Sequence, residues 1–313
     1  TAHFTVPRTY EMLLPHLRSD AELREAFFRK LKLYFYAAAG LGQRFWDELR
    51  DLAVEACGEE LLIITGFGAT ETAPFALTTG GVGAVAGMIG LPCPGMELKL
   101  VPVGAKKEAR VRGPNITPGY WGDDAMTSAA FDEDGFYRLG DAMDFVDPAD
   151  PRQGLMFNGR LAEDFKLSTG TWVSVGPLRS RILVQAAGYA QDVVIAGHDR
   201  GFAAALVFPN VLRCRDLVLD ASPDAPASDI LRHPAVVSRF QNIFDELARQ
   251  GTGSSTFVSR AVLLDVPPSL DAREITDKGS LNQKAVLRNR AALVEDLYST
   301  PPPTHVIVSA GPT

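Results

Sequence analysis

The chain has 313 residues and a formal net charge of −7; 46% of its residues are hydrophobic and 22% are charged. This is the composition of a globular protein long enough for about two domains, and its acidic balance argues against general binding to nucleic acids or anionic membranes. No apolar run reaches the roughly 18 residues of a membrane-spanning helix, and the three widely spaced cysteines suit neither a disulfide framework nor a zinc site, so the expected setting is the reducing cytoplasm.

The first half of the chain predicts helices and two buried strands. Residues 9–56 are expected to be mostly helical, because apolar residues such as Phe45, Leu49 and Leu52 recur at helical spacing. Within and after this segment, "KLYFYAAAGLG" predicts a buried strand that turns at Gly40, and "ELLIITGFG" predicts a second buried strand. From residue 81 to residue 160 the pattern changes to short strands separated by glycine and proline turns.

After residue 160, short strands alternate with helices. A strand is predicted at "TWVSV", with a helix beginning at Pro177, and "DVVIAG" and "AALVFP" predict two strands of one small sheet. Apolar residues from Val236 to Leu247 predict an amphipathic helix that stops at Gly251, and the segment "EITDKGSLNQKAVLRNRAALVEDLY" predicts a loop that leads into a helix. The expected fold class is α/β plus α+β, with domains at 1–159 and 160–313.

The stretch "GFGATETAP", residues 66–74, is the first candidate site. Gly66 and Gly68 would let backbone N–H groups approach an anion, and Thr70 offers a hydroxyl to a phosphate oxygen. Glu71 repels phosphate unless a cation such as Mg²⁺, which takes carboxylate and phosphate oxygens, lies between them. The alternative is a capped polar turn without a ligand, and the motif alone is too short to decide between the two.

Asp141 and Arg160, which come later in the sequence, suggest contacts to a nucleotide. Asp141 in "YRLGD" follows a short strand and could accept the two hydroxyls of a ribose. Arg160 in "NGRLAEDF" is a bidentate donor that could face a ribose or a phosphate. The alternatives are an aspartate in a turn and an arginine in a solvated hairpin.

Two polar loops lie in the C-terminal half. Lys166, Ser168 and Gly170 form a loop before a strand, and Lys278 and Lys284 flank a glycine-containing loop. A lysine on a loop can bring positive charge to a transition state. A solvated hairpin and solvated lysines are the alternatives.

Taken in order, these motifs resemble those of the adenylate-forming acyl-CoA synthetases. The resemblance runs from about residue 30 to residue 295 through "GFGATETAP", "GLPCPGMELKLV", "VRGPNITPGYW", "FYRLGD" and "NGRLAEDFKLSTGTWVSVGP". The last of these and "EITDKGSLNQKAVLRNR" are most similar to feruloyl-CoA synthetases, which activate hydroxycinnamic acids. The resemblance implies that a small aromatic carboxylic acid reacts with ATP to give an acyl-adenylate, which then reacts with coenzyme A.

The resemblance also implies ATP, Mg²⁺ and coenzyme A as cofactors and substrates, and roles for individual residues. Thr70 would contact phosphate and Glu71 would hold Mg²⁺, while Asp141 would bind the ribose hydroxyls. Further implied contacts are Phe67 beside the adenine and acyl group, Arg160 at the ribose and phosphate, Ala38, Ala39 and Gly40 along the adenine and acyl pockets, and the loop from Lys166 through Ser168 to Gly170 in the thioester step. A medium- or long-chain fatty acid CoA ligase, or a non-catalytic binding module that keeps the fold, are the alternatives.

The sequence departs from the family pattern in three places. Ala162 stands where the family has a hinge carboxylate, and Gly279 is followed by Ser280 instead of the catalytic lysine. That role would fall to Lys278, to Lys284 or to neither, with Lys278 preferred because it is closest in the loop. No counterpart of the family's upstream phosphate loop occurs in residues 1–30, so the chain resembles the C-terminal half of such an enzyme: a partial large domain followed by a small mobile domain, and expected to be inactive alone.

Overall fold

The structure, a computed structural model, describes residues 1–80, 83–218, 222, 224–276 and 279–311. The chain divides into two compact units, Thr1–Leu161 and Ala162–Thr313. Among the described residues, no helix is both long enough and apolar enough to cross a lipid bilayer. Mixed sheets with packed helices confirm the expected fold class of α/β plus α+β.

In the described part of unit 1, nine strands form one sheet with the order β1-β2-β3-β4-β5-β9-β8-β7-β6. Strands β1 to β3 are parallel to one another, and the remaining neighbours are antiparallel. The elements are β1 (Ala2–Thr5), α1 (Pro7–Ser19), α2 (Ala21–Phe28), β2 (Leu33–Ala37), α3 (Gln43–Cys57), β3 (Leu62–Phe67), β4 (Leu77–Thr78), β5 (Met88–Pro92), β6 (Glu97–Val103), β7 (Lys106–Arg112), α4 (Asp124–Ala130), β8 (Tyr137–Phe145) and β9 (Leu155–Arg160).

Helices α1 to α3 bury their apolar faces against the parallel strands. Tyr34 and Tyr36 alternate along β2 toward the helices, where Trp46 and Leu49 of α3 join the same core. Gly58 ends α3 in the left-handed conformation, with φ 76°, that a helix terminus favours. Because β2 and β3 are parallel, their carboxyl ends open at one edge of the sheet, and this is where ligand sites of α/β proteins usually lie.

A buried ionic cluster ties β6 and β7 to the turn before β8. Arg110 donates to Asp132 at 3.0 Å and to Glu108 at 2.7 Å, and the Lys99 ammonium lies 2.9 Å from the same Asp132 carboxylate. Burial alone would raise the pKa of Asp132, but hydrogen bonds from Lys99, Arg110 and two backbone N–H groups outweigh it and hold the pKa below its usual value.

Unit 2 contains a four-stranded sheet with the order β12-β13-β14-β15 and a two-stranded hairpin, β10-β11, among its described residues. Helices α5 and α8 pack on one face of the larger sheet, and α9 and α10 pack on the other. The elements are β10 (Phe165–Lys166), β11 (Trp172–Val173), α5 (Val175–Gln185), β12 (Ala190–Ala196), β13 (Ala204–Pro209), α6 (Val211–Arg215), α7 (Ala227–Arg232), α8 (Pro234–Arg249), β14 (Arg260–Leu263), α9 (Gln283–Asn289), α10 (Ala291–Tyr298) and β15 (Val306–Val308).

Two helix predictions in unit 2 were wrong in detail. The helix predicted to begin at Pro177 begins at Val175, because the carboxylate of Asp164 accepts the Val175 N–H at 3.0 Å and caps the helix there. The single helix predicted near the C-terminus is two helices, α9 and α10, which meet at Arg290. The Arg290 side chain is anchored by Glu274 at 2.7 Å and by the Val266 carbonyl at 2.9 Å.

Candidate active site

The first candidate motif forms a compact loop, residues 68–75, at the carboxyl end of β3. A short 3₁₀ turn spans Thr70–Thr72, and the buried Thr72 hydroxyl exchanges hydrogen bonds of 2.9 Å with the N–H and carbonyl of Ala69. Ala73 follows with φ 50°, a left-handed conformation that costs a non-glycine residue about 1–3 kcal/mol. Thr70 is exposed and Glu71 is half-buried, so both can reach a ligand.

The two glycines of the motif have a packing role that the sequence interpretation did not include. A Cβ atom on Gly66, which pairs with Ala37 and Thr78 inside the sheet, would lie 1.9 Å from the Phe75 ring. A Cβ atom on Gly68 would lie 2.0 Å from the carbonyl oxygen of Pro74. Both positions therefore need glycine so that the loop can fold back against β3, and anion contact at Gly66 and Gly68 stays a prediction.

The Glu71 side chain is held by a tyrosine pair. The Tyr120 hydroxyl donates to Glu71 Oε1 at 2.9 Å, and the Tyr137 hydroxyl lies 3.1 Å from the Tyr120 hydroxyl. Burial, then the hydrogen bond to Tyr120 and the negative charge of Glu71, raise the pKa of Tyr137 above its usual value, so that its proton is retained. No role was predicted for Tyr120, the tyrosine of "VRGPNITPGYW".

The backbone around Glu71 is tied to the same segment. The Thr117 N–H donates to the Glu71 carbonyl at 2.8 Å, and the Asn115 side chain donates to the carbonyls of Thr72 at 2.5 Å and Phe75 at 2.9 Å. Residues 115–120 thus hold the 68–75 loop at three backbone positions and one carboxylate.

Asp141 and Arg160 lie opposite each other on neighbouring strands, β8 and β9. The Arg160 Nε lies 3.7 Å from Asp141 Oδ1; the aspartate side chain is 16% exposed and the arginine side chain 67%. The register shifts directly after Asp141, and such bulges turn side chains toward sites. The structure therefore brings together the two residues that the sequence analysis assigned to the ribose region.

Phe67 connects this strand pair to the 68–75 loop. Its ring lies 6.0 Å from the ring of Phe157, which is on β9 three residues before Arg160. Tyr137, whose hydroxyl is hydrogen-bonded to that of Tyr120, lies on β8. It precedes Asp141 by four residues, which is about 13 Å along the strand. Phe67 and the tyrosine pair thus connect the 68–75 loop to the two strands that carry Asp141 and Arg160, and a common site for these residues stays a prediction.

Residues 38–40 emerge from β2 at the same sheet edge. Ala38 has φ 77°, and non-glycine residues in this conformation concentrate at functional sites. Gly40 is exposed, and a Cβ atom there would meet nothing within 4 Å, so no packing contact requires its glycine. The placement fits the predicted role of Ala38, Ala39 and Gly40 as a pocket lining, which stays a prediction.

The loop with Lys166, Ser168 and Gly170 is the tip of the β10-β11 hairpin in unit 2. Gly170 has φ 85° and its N–H donates to the Leu167 carbonyl at 2.8 Å, while the Ser168 N–H donates to the Arg200 carbonyl at 2.9 Å. The Lys166 ammonium lies 5.2 Å from the centre of the Trp172 ring. All three predicted residues are exposed on a hairpin with defined backbone hydrogen bonds.

The two candidate lysines differ in what the structure shows. Lys278 lies outside the described residues. Lys284 is exposed in the first turn of α9, after Asn282, whose side chain caps the helix by accepting the Ala285 N–H. Ala162, which the sequence resemblance places at a hinge position, is followed by Glu163 and Asp164, and the Asp164 carboxylate accepts the Val175 N–H at the start of α5.

The donor set around Glu71 fits a cation shared with phosphate. Across residues 1–80, 83–218, 222, 224–276 and 279–311, no group of three or more His, Cys, Asp or Glu side chains could hold a metal ion. Mg²⁺ is commonly bound by one or two carboxylates together with phosphates and waters, without an all-protein cage. Tyr120 donates to Glu71 Oε1, and an ionised carboxylate has about four acceptor positions, so Glu71 can accept this bond and still ligate an ion.

Comparisons with known proteins concern the family model and the fold. Residues 1–121 match the family model of the AMP-binding enzymes. The adenylation domain of a carboxylic acid reductase from Segniliparus rugosus, solved with AMP and a co-purified carboxylic acid, superposes with a TM-score of 0.67 at 20% identity, over 96% of this chain and 47% of that chain. The chain has the fold of the adenylate-forming enzymes.

The names of the curated relatives differ in the acid and in the thiol that they give. The chloroplastic long-chain-fatty-acid–[acyl-carrier-protein] ligase AEE15 of Arabidopsis thaliana is 24% identical over 264 residues, which are 80% of this chain and 34% of that protein. Probable 4-coumarate–CoA ligase 3 of Dictyostelium discoideum is 32% identical over 119 residues, 36% of this chain and 21% of that protein. The chain spans about a third of the length of the relatives that match most of it.

Proposed function

We propose that this chain carries the nucleotide-binding part of an ATP-dependent ligase that joins a carboxylic acid to the thiol of coenzyme A. The carboxylate of the acid attacks the α-phosphate of ATP, so that an acyl-adenylate forms and pyrophosphate leaves. The thiol of coenzyme A then attacks the acyl carbon, loses its proton and displaces AMP, which gives the thioester.

The observation that supports this proposal most directly is the Asp141–Arg160 pair, which lies in the same unit as Glu71. A largely buried carboxylate can accept ribose hydroxyls, and an exposed guanidinium beside it can donate to ribose or phosphate oxygens. Thr70 would donate its hydroxyl to a phosphate oxygen from the exposed face of the loop. Glu71 would hold Mg²⁺, which when bound supplies neutralisation of phosphate charge.

The proposed acid is aromatic and of the hydroxycinnamic type. The C-terminal motifs that resemble feruloyl-CoA synthetases and the similarity to a 4-coumarate–CoA ligase support this choice. The half-buried ring of Phe67 and the exposed ring of Phe157 offer apolar faces on which an aromatic acid can pack. A medium- or long-chain fatty acid is the second candidate, because the similarity to a fatty-acid ligase covers 80% of the chain.

ATP–pyrophosphate exchange in the product of the whole gene tests this function. Exchange that depends on ferulate and not on palmitate supports the aromatic acid, and the opposite preference supports the fatty acid. Glu71→Gln should lower the rate about 100-fold, because loss of a metal contact removes several kcal/mol of charge stabilisation. Glu133→Gln, the same change at an exposed carboxylate of the unit, is the matched control. Absence of exchange with either acid would instead favour a binding module that keeps the fold without the reaction.

The catalytic lysine is proposed to be Lys278 or Lys284, and two variants compared in the same assay separate them. The alanine variant of the acting lysine should lose adenylation, while the other should retain it. Retention of full exchange by both variants would remove both residues from the mechanism.

A further inference from the structure

We propose that residues 115–120, and Tyr120 above all, position Glu71 for the cation by fixing one carboxylate oxygen and presenting the other. This inference rests on the proposed function, in which Glu71 holds Mg²⁺. Tyr120 is a positioning residue, because it acts on the ion through Glu71.

The direction of the hydrogen bonds follows from the chemistry of the groups. An ionised carboxylate can only accept, so the Tyr120 hydroxyl must donate its single proton to Glu71 Oε1 across 2.9 Å. The Tyr120 oxygen then accepts from the Tyr137 hydroxyl across 3.1 Å. The resulting chain, Tyr137 to Tyr120 to Glu71, has one polarity, and each bond strengthens the next one.

The backbone contacts make the positioning specific to this loop. The Thr117 N–H binds the carbonyl of Glu71 itself, and Asn115 binds the carbonyls of Thr72 and Phe75 that follow. The same six-residue segment thus holds the main chain of Glu71, the chain after it and one oxygen of its side chain. A carboxylate restrained in this way loses little conformational freedom when an ion binds.

The tyrosine pair also connects the two halves of the site. Tyr137 lies on β8, the strand that carries Asp141. Its hydrogen-bond partner, Tyr120, lies in the 115–120 segment that holds Glu71. Groups that orient a ligating carboxylate typically change metal affinity 10- to 100-fold when removed. Loss of the Tyr120 hydroxyl should therefore affect binding that depends on the ion and leave ion-independent nucleotide binding intact.

The experiment measures ATP binding by calorimetric titration of the 313-residue chain, in excess MgCl₂ and again in EDTA. Tyr120→Phe should weaken ATP binding about 10-fold in Mg²⁺ and leave it unchanged in EDTA. Tyr137→Phe should weaken ATP binding less than this, and only in Mg²⁺. The Tyr120 hydroxyl would still donate to Glu71 but would no longer accept a hydrogen bond from Tyr137. Tyr34→Phe is the matched control, since Tyr34 is buried in the same unit and donates to the Leu49 carbonyl away from the loop.

The outcomes separate the inference from the function on which it rests. If Glu71→Gln abolishes the Mg²⁺ effect and Tyr120→Phe binds like the wild type, the positioning role is wrong and the metal role stands. Equal weakening by Tyr120→Phe in Mg²⁺ and in EDTA would make the tyrosine a structural support of the loop and overturn the inference. If neither the wild-type chain nor the product of the whole gene binds ATP under either condition, the nucleotide site itself is refuted and the positioning role falls with it.

Discussion

Replacing Gly66 with alanine tests whether this glycine serves packing or the approach of an anion. The new Cβ would lie 1.9 Å from Phe75 Cε2, so the ring must move about 1.5 Å to reach ordinary van der Waals contact. Gly66 does not have a positive φ, so alanine brings no backbone strain of its own. Overpacking of this kind costs about 1–3 kcal/mol of unfolding free energy, whereas alanine in a strand is otherwise favoured over glycine by roughly 0.5–1 kcal/mol.

A double-mutant cycle with Phe75→Ala isolates the contact. Without the Phe75 ring, the closest remaining neighbour of the new Cβ is Phe35 Cζ at 2.9 Å, so Gly66→Ala should cost much less, which gives a coupling free energy of about 1–3 kcal/mol. Urea unfolding followed by the fluorescence of Trp46, which is fully buried in unit 1, supplies the free energies. Gly80→Ala is the control, because a Cβ atom there would meet nothing within 4 Å.

Two results would contradict the packing role. Gly66→Ala with a stability above that of the wild type by roughly 0.5–1 kcal/mol, the ordinary gain of alanine over glycine in a strand, would show that the Phe75 ring moves without cost. A cycle in which Gly66→Ala costs the same with and without the Phe75 ring would exclude the contact as the reason for glycine. If the double variant regains stability but loses ATP binding in Mg²⁺, the approach of an anion at Gly66 is supported as an additional role.

Two further predictions concern stability. Asp132→Asn should destabilise unit 1 by about 1.5–3 kcal/mol at pH 7, because Arg110 and Lys99 lose their shared buried carboxylate while Arg110 keeps Glu108. Folding lowers the pKa of Asp132, so its contribution is complete above about pH 4 and is lost as the pH falls further. The urea midpoint of the variant should therefore vary less than that of the wild type below about pH 4. The buried Gln283 side chain accepts the Ile195 N–H at 3.1 Å and donates to the Val193 carbonyl at 3.2 Å, both on edge strand β12. Gln283→Leu would leave both backbone groups without this partner and should lower the free energy of unfolding by roughly 2–5 kcal/mol. Accelerated hydrogen exchange of the Ile195 amide would report that loss, and unchanged protection would refute it.

The sequence was informative where a pattern is local. The strands that end at Ala37 and Phe67 are continuous apolar runs, and α8 has a clear helical stripe, so both could be predicted from residue type and spacing. Helix boundaries that are set by distant side chains could not be predicted in this way. Asp164 caps α5 from 11 residues away, which moved the start of the helix ahead of Pro177.

The same distinction applies to the site. Glu71, Asp141 and Arg160 stand in motifs whose order carries the resemblance, whereas Tyr120 gains its role only through a partner 49 residues away. At Gly66 and Gly68 the sequence information was incomplete in a different way. Glycine in a motif indicates that another group lies close to the backbone, but it does not identify that group as a ligand or as part of the chain. At both positions the structure shows that the chain's own atoms lie close, namely the Phe75 ring and the Pro74 carbonyl.

The 68–75 loop is built to be rigid before any ligand binds. Thr72 closes the turn on Ala69, the 115–120 segment holds the carbonyl of Glu71, and Ala73 keeps a left-handed conformation at an energetic cost that these contacts must offset. A carboxylate that repels phosphate is useful only if its position lets a cation lie between the two charges. Rigid placement serves that purpose because the electrostatic benefit requires no reorganisation when the charges meet. In the proposed function, a mobile Glu71 carboxylate could turn away from the cation, which would weaken the binding of a nucleotide together with its metal.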